Sequence, residues 1–309
     1  MKLRVLGSAA GGGFPQWNAN SEACRRAWAG DPSAPPQTQS SVAVSADGDN
    51  WFLLNASPDL RQQINDNPPL QPRRGKRDSA IQGVVLTNGD VDHVAGLLNL
   101  RESQRLTLYA TRRILDVLAA NPIFGVLNPD FVAREAVELD RPFALTNADG
   151  GDSGLRVTAF AVPGKVALYL EDAGAGDNFG TREEDTIGLF VARADDGRGF
   201  FYVPGCAAMS PDLASRLRGA ELVLFDGTLW RDDEMVAAGV GVKTGARMGH
   251  MSMSGPGGSI AAFEGLEVAR RVFIHVNNSN PVLLADTEER AALEAAGWTL
   301  ARDGMELDL

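Results

Sequence analysis

The chain has 309 residues, 44% of them hydrophobic, enough to bury a substantial core in one large domain or two smaller ones. A formal net charge of −11, with no basic stretch to offset it, argues against nucleic acid as the main partner. No run is long and apolar enough to span a bilayer, and two cysteines, Cys24 and Cys206, make no disulfide framework, so a reducing cytosol is the default compartment.

Residues 2–6 read as a short strand, and the opening segment lacks the apolar core of a signal peptide. Gly7-Ser8-Ala9-Ala10-Gly11-Gly12-Gly13 is a tight loop without a GxGxxG spacing or a P-loop lysine, which sets nucleotide binding aside. Residues 14–40, rich in Pro, Asn and Ser, read as irregular. Residues 41–44 and 51–54, joined through Asp47-Gly48, carry a hairpin signal. Ser57-Pro58-Asp59 then opens a helix with a cap, a proline at the first position and an acid in the first turn.

The apolar run 81–86 reads as a buried strand. A polar turn follows, Thr87-Asn88-Gly89-Asp90-Val91-Asp92-His93, and residues 94–98 read as the start of a packed helix. A strand that ends in a carboxylate-rich turn and feeds a helix is a common place for a metal or catalytic site. An Asx-rich turn capping the helix is the other reading of the same residues.

Further on, residues 106–110 read as a strand and 113–118 as a helix broken at Asn121-Pro122. Residues 155–162 form a strand ending at Pro163-Gly164. Residues 186–194 and 199–203 make a hairpin around Asp195-Asp196-Gly197, and Ser210-Pro211-Asp212 starts another helix. Residues 222–225 are a strand ending at Asp226-Gly227, and 272–274 a strand ending at His275. A helix over 287–296 and a final strand close the chain. With no internal repeat, low-complexity segment or linker, a single domain over 1–309 is expected, layered α/β or α+β with helices covering the sheets.

Polar groups fall at the ends of several strands: Asp92 and His93 after one, Cys206 after a second, Asp226 after a third and His275 after a fourth. Such ends can converge on one cleft although they lie far apart in sequence. The remaining histidine, His250, sits in the loop Met248-Gly249-His250-Met251-Ser252.

Leu86-Thr87-Asn88-Gly89-Asp90-Val91-Asp92-His93-Val94-Ala95-Gly96 resembles an altered metallo-β-lactamase metal motif, T-H-x-H-x-D-H-x-x-G. Phe14-Pro15-Gln16-Trp17-Asn18, Asn55-Ala56-Ser57-Pro58-Asp59-Leu60-Arg61, Ala161-Val162-Pro163-Gly164-Lys165, Gly249-His250-Met251-Ser252-Met253 and His275-Val276-Asn277-Asn278-Ser279-Asn280-Pro281 resemble the coenzyme PQQ synthesis protein B family over nearly the whole chain. The resemblance implies an αββα four-layer sandwich and a role in making pyrroloquinoline quinone (PQQ). Hydrolases of that superfamily hold two metals. Here the first site's histidine positions are Asn88, Asp90 and Lys165, and the bridging aspartate falls at Cys206, so the resemblance implies a crippled first site. The second survives as Asp92, His93 and His275. Two histidines and a carboxylate are the ligand set of non-haem Fe(II) oxygenases and also fit a single Zn(II).

By the same resemblance Asp226 and His250 form a proton-relay pair, unless Asp226 only caps the turn before Thr228. Asp90 is an extra ligand, an outer acceptor or a general base. Many family members carry a C-x-C-x-x-C zinc knot, but the positions here read Ala19, Ser21 and Cys24, so no N-terminal structural zinc is expected. The activity implied is O2-dependent oxidation of a small tyrosine-derived, Glu–Tyr-type PQQ precursor. A one-metal zinc hydrolase and a soluble carrier of PQQ or its precursor are the alternatives, and a homodimer stays open.

Overall fold

The computed structural model describes residues 1–176 and 178–309. Its framework is two seven-stranded sheets. One contains β1 (Lys2–Gly7), β2 (Ser41–Ser45), β3 (Trp51–Leu54), β4 (Ile81–Val85), β5 (Leu106–Thr111) and β6 (Val132–Val137) as consecutive neighbours. The other contains β7 (Pro142–Thr146), β8 (Asp152–Ala161), β9 (Ile187–Arg193), β10 (Gly199–Val203), β11 (Leu222–Asp226), β12 (Arg270–Ile274) and β13 (Thr299–Leu300). The last strand, β14 (Glu306–Asp308), returns to the first sheet beside β1.

The period-two alternation of strands decides which layer each side chain enters. Val42 and Val44 of β2 point between the sheets, and Ala43 points outward. Leu222 and Leu224 of β11 likewise face inward, while Val223 and Phe225 face out. The inner layer packs Phe52, Leu54 and Val85 against Leu189, Phe200 and Tyr202. Outside the first sheet, Leu53, Val84 and Leu108 pack under Leu60, Ile114 and Leu118 of helices Leu60–Asp66 and Arg112–Ala120. Outside the second, Phe225 and Phe273 pack under Leu213, Phe263 and Leu293. Each such side chain, fully buried, stabilises the fold by roughly 1.5–3 kcal/mol relative to exposure. The layers are helix, sheet, sheet, helix, as the resemblance implied.

Strands β3 to β6 run parallel, and so do β10 to β13. Their carboxyl ends open onto one edge of the sandwich, where ligands of parallel sheets bind. The two sheets are tied there by a bridge between Asn88 and Thr186 and by the bond from Ile187 N–H to the Thr87 carbonyl, 2.9 Å. No helix among the described residues is long and apolar enough to cross a membrane.

Several expectations need correction. Within the segment read as irregular, Glu22–Trp28 is a helix capped by the Ser21 hydroxyl. It is short and buries little beyond Cys24 and Ala27, so it leaves almost no periodic signal. Beyond Asp90 the packed helix is only one turn, Val91–Val94, passing into a 3-10 segment over Ala95–Leu100. The tightening follows from Gly96, whose N–H bonds the Ala56 carbonyl and where any Cβ would sit 2.1 Å from the Ser57 carbonyl oxygen. Ser57 does not cap its helix; its hydroxyl bonds Gln63 Oε1, and the helix begins at Leu60. The closing strand is two strands, β13 and β14, in different sheets.

Candidate metal centre

The site begins where β4 ends. Asn55, at the end of β3, adopts the left-handed region at φ 62° and clamps Thr87: its Oδ1 accepts from Thr87 N–H at 2.9 Å and its Nδ2 donates to the Thr87 hydroxyl at 2.9 Å. Asn88 then turns its side chain back over the loop. Its Oδ1 accepts from Asp90 N–H at 3.1 Å and lies 2.7 Å from His93 Nδ1. Because a backbone N–H can only donate, that atom is the amide oxygen, and His93 Nδ1 must carry the proton. The lone pair therefore sits on Nε2. This atom is buried and has no hydrogen-bond partner among the described residues.

Asp92 and His275 converge on it. Asp92 Oδ2 is 4.0 Å from His93 Nε2 and 3.0 Å from His275 Nε2, and one donor atom from each residue lies within 4.8 Å of the others. His275 follows β12 with φ 63°, a left-handed conformation that costs a ring-bearing residue of order 1–3 kcal/mol. It is pinned there by the flanking bond from Val276 N–H to the Ser8 carbonyl, 2.9 Å. A buried orphan lone pair, a second imidazole and a carboxylate on one point fit a cation. The electrostatics agree. Burial, with the neighbouring histidines, pushes His93 down to about 4, so the ring is neutral. Burial opposes charge on Asp92, but His93 and His275 outweigh it and hold the carboxyl below its ordinary range. Asp90, buried beside Asp92, is pushed up to about 6.

A second cluster stands against the first. Asp226 is wholly buried, and four donors meet it: Thr228 N–H (3.0 Å) and Thr228 Oγ1 (2.7 Å) at Oδ1, Cys206 N–H (2.9 Å) and His250 Nδ1 (2.7 Å) at Oδ2. Asp226 thus both caps its turn and holds His250. Burial opposes charge on His250, but Asp226 overcomes it and raises the ring above its ordinary value. Thr228 is the hub. Its single proton goes to the Asp226 carboxylate, the nearest and only charged acceptor, so its lone pairs face His275 Nδ1 at 2.8 Å. His275 Nδ1 then donates to Thr228, and its Nε2 points into the site, 3.0 Å from Asp92 Oδ2. The His250 and His275 rings stack at 5.3 Å. Donor atoms of Asp226, His250 and His275 also lie close together, but Asp226 and the facing His275 nitrogen are already engaged with protein donors and acceptors.

The cleft has a volume of about 550 Å³ and is lined by Asp90, Asp92, His93, His250 and His275, with Lys165, Leu168 and Met235 on its walls. Lys165 Nζ is ion-paired with Glu171. Cys206 is fully buried, its thiol donates to the Ala208 carbonyl at 3.2 Å, and burial with the Asp226 charge pushes it up to about 12. It offers a neutral S–H already given to a backbone carbonyl. Cys24 is also buried, with Sγ 4.0 Å from Asn278 Oδ1, and Ser21 caps a helix. The sequence reading missed Thr228, Glu171 and Arg247. Thr228 had a local signal, a hydroxyl two residues beyond a strand-end acid. Glu171 and Arg247 had none.

Comparison with known proteins agrees with this architecture. A family description, beta-lactamase superfamily domain, matches residues 50–276. Coenzyme PQQ synthesis protein B of Gluconacetobacter diazotrophicus is 58% identical over 305 residues, 99% of this chain and 98% of that protein. That of Xanthomonas campestris pv. campestris is 55% identical over 100% of both chains. The crystal structure of Zn(2+)-bound PqqB from Methylobacterium extorquens matches with TM-score 0.95 at 53% identity, covering 100% of both chains. A diphosphatase of the PhnP family, 20% identical with TM-score 0.69 over 100% of this chain and 97% of that one, shares the fold. The fold is the metallo-β-lactamase αββα sandwich.

Proposed function

The chain belongs to the coenzyme PQQ synthesis protein B family, and we propose that its step in PQQ biosynthesis is the O2-dependent hydroxylation of a tyrosine-derived, Glu–Tyr-type precursor at a single Fe(II). The observation that carries this reading is the donor set: His93 Nε2, His275 Nε2 and Asp92 Oδ2 meet, with His93 in the tautomer that presents its lone pair. A second ion finds little to hold it. Asn88 is committed to His93, Lys165 to Glu171, and the Cys206 thiol to Ala208.

Fe(II) on two histidines and one carboxylate with open positions supplies O2 activation. The chain's own groups do the rest. Asp226 orients His250 through Nδ1 and stabilises its charged form, leaving Nε2 as the nitrogen that exchanges a proton with the cleft. Asp90, at the cleft wall and with its carboxyl at about 6, is a second proton acceptor. Leu168 and Met235 help keep water from the reacting ring.

The test is anaerobic loading of the metal-free protein with one equivalent of Fe(II) or Zn(II). The loaded protein is then mixed with O2, ascorbate as the two-electron source, and the Glu–Tyr precursor. The Fe(II) form should consume O2 and yield a product one oxygen atom heavier, the second oxygen leaving as water. Zinc-dependent cleavage without O2 would make the protein a hydrolase, a reading favoured by the zinc in the Methylobacterium extorquens relative. Zinc outcompetes Fe(II) for such ligands, so zinc in a relative is compatible with either reading. Tight precursor binding without turnover by either form would make it a carrier.

A further inference from the structure

The chain carries a net charge of −11, yet cations collect at one place on the rim of the cleft. Beside the metal cleft lies a second cavity of about 410 Å³ lined by Lys165, Phe179, Arg182, Arg247 and Gly249. Lys165 and Gly249 line both spaces, so the two are adjacent and share a wall. Gly249 has φ +87°, and a Cβ there would lie 2.8 Å from Lys165 Cβ. Lys165 is thus packed directly against the loop that carries His250.

One carboxylate sits between the cations. Glu171 is ion-paired with Lys165 Nζ and receives both arms of the Arg247 guanidinium, Nη1 at 3.3 Å and Nη2 at 2.7 Å. The Lys165 and Glu171 side chains are each 13% exposed, and the Arg247 guanidinium lies over the Phe179 ring at 3.8 Å. This is a bidentate fork and an ammonium built around one carboxylate, with net charge +1. Tyr169, two residues earlier, ties the segment to the metal loop by donating to the Gly89 carbonyl at 2.8 Å.

We propose that Lys165 and Arg247 are the carboxylate subsite of the cleft, and that Glu171 occupies it as an internal surrogate which a ligand carboxylate displaces. The identity of the ligand rests on the PQQ reading above, since PQQ is a planar aromatic tricarboxylate. Such a polyanion needs local cations to approach an acidic protein. The competing explanation is that the trio only ties down the segment carrying Glu171. The two differ in sign: removing the Glu171 charge frees two cations if it is a surrogate, and loosens the wall if it is a tie.

The experiment is titration of PQQ into the zinc-loaded protein, which is redox-inert, followed by calorimetry. K165M and R247M should each weaken binding by roughly 10- to 100-fold. R247K should fall between R247M and wild type, keeping charge without the fork. E171Q should tighten binding several-fold. The trimethyl ester of PQQ should bind all forms alike. Thermal melts separate these effects from misfolding. Weaker or unchanged binding by E171Q, or no binding by the wild type, overturns the proposal. No oxygenated product from the Fe(II) protein, beside the expected titration pattern, would sink the hydroxylase reading and leave the subsite standing.

Discussion

Asn88 Oδ1 stands 2.7 Å from His93 Nδ1, and through this contact Asn88 orients the ring of a proposed metal ligand. The superfamily motif has a histidine where Asn88 stands. An amide oxygen held by Asp90 N–H accepts only from a protonated Nδ1, so an asparagine at this position fixes the tautomer of the proposed ligand His93.

Asn88→Ala should therefore leave His93 in place but free its ring to rotate and change tautomer. Metal affinity should fall by about 10- to 100-fold, the usual cost of losing an outer partner. Competition with a chromophoric chelator measures it. Affinity equal to wild type would show that the ring is held by packing alone.

Asp92, His93 and His275 are the three proposed ligands, a set without redundancy. Replacing any one with Ala should abolish stoichiometric metal binding, read by elemental analysis after gel filtration. One equivalent retained in any of the three variants would exclude that residue from the ligand set.

His250→Ala should keep its metal and lose turnover by roughly 10²–10⁴-fold, the range for a lost general acid or base. His250→Asn should restore the thermal stability and not the rate. A variant that loses metal makes His250 a ligand; full turnover makes it a structural residue.

The metal-free protein should lose stability in acid through His93. Its charged form is disfavoured in the fold, at about 4 against 6.5 in the open chain. The unfolded state then binds more protons between those values, so the contribution is complete above pH 6.5 and is lost as pH falls towards 4. The span corresponds to roughly 3 kcal/mol. Urea titrations at pH 7 and pH 4.5, compared with His93→Gln, read this directly: the variant should lose less. Equal losses would mean that His93 is not the group responsible.

Cys206 should be inert to a thiol reagent at pH 8 in the native protein and react once unfolded in guanidinium, because the thiol is buried and raised to about 12. Fast native labelling of Cys206 would indicate an open, reactive thiol at the position where the superfamily has its bridging acid.

The sequence alone determined most of the strands, because their signal is local. The unbroken apolar runs at 51–54 and 222–225 are dictated by each strand having one face between the sheets and the other under a helix, so that both faces are buried. It also marked Asp92, His93, Asp226 and His275 as strand-end groups. What failed was weak in the same terms. β6 has buried side chains only at its two ends, and the helix Glu22–Trp28 buries two residues, so neither repeats a pattern. Only the tertiary structure decided the chemistry of the site. That His275 faces Asp92, 183 residues away, follows from the packing of one sheet on the other. The protonation of each ring nitrogen depends on Asn88 and Thr228, and the Lys165–Glu171–Arg247 cluster on two loops meeting at the cleft rim. Hydrogen-bond direction and charge pairing are properties of atoms a few ångströms apart in space, and no local pattern in the chain encodes that distance.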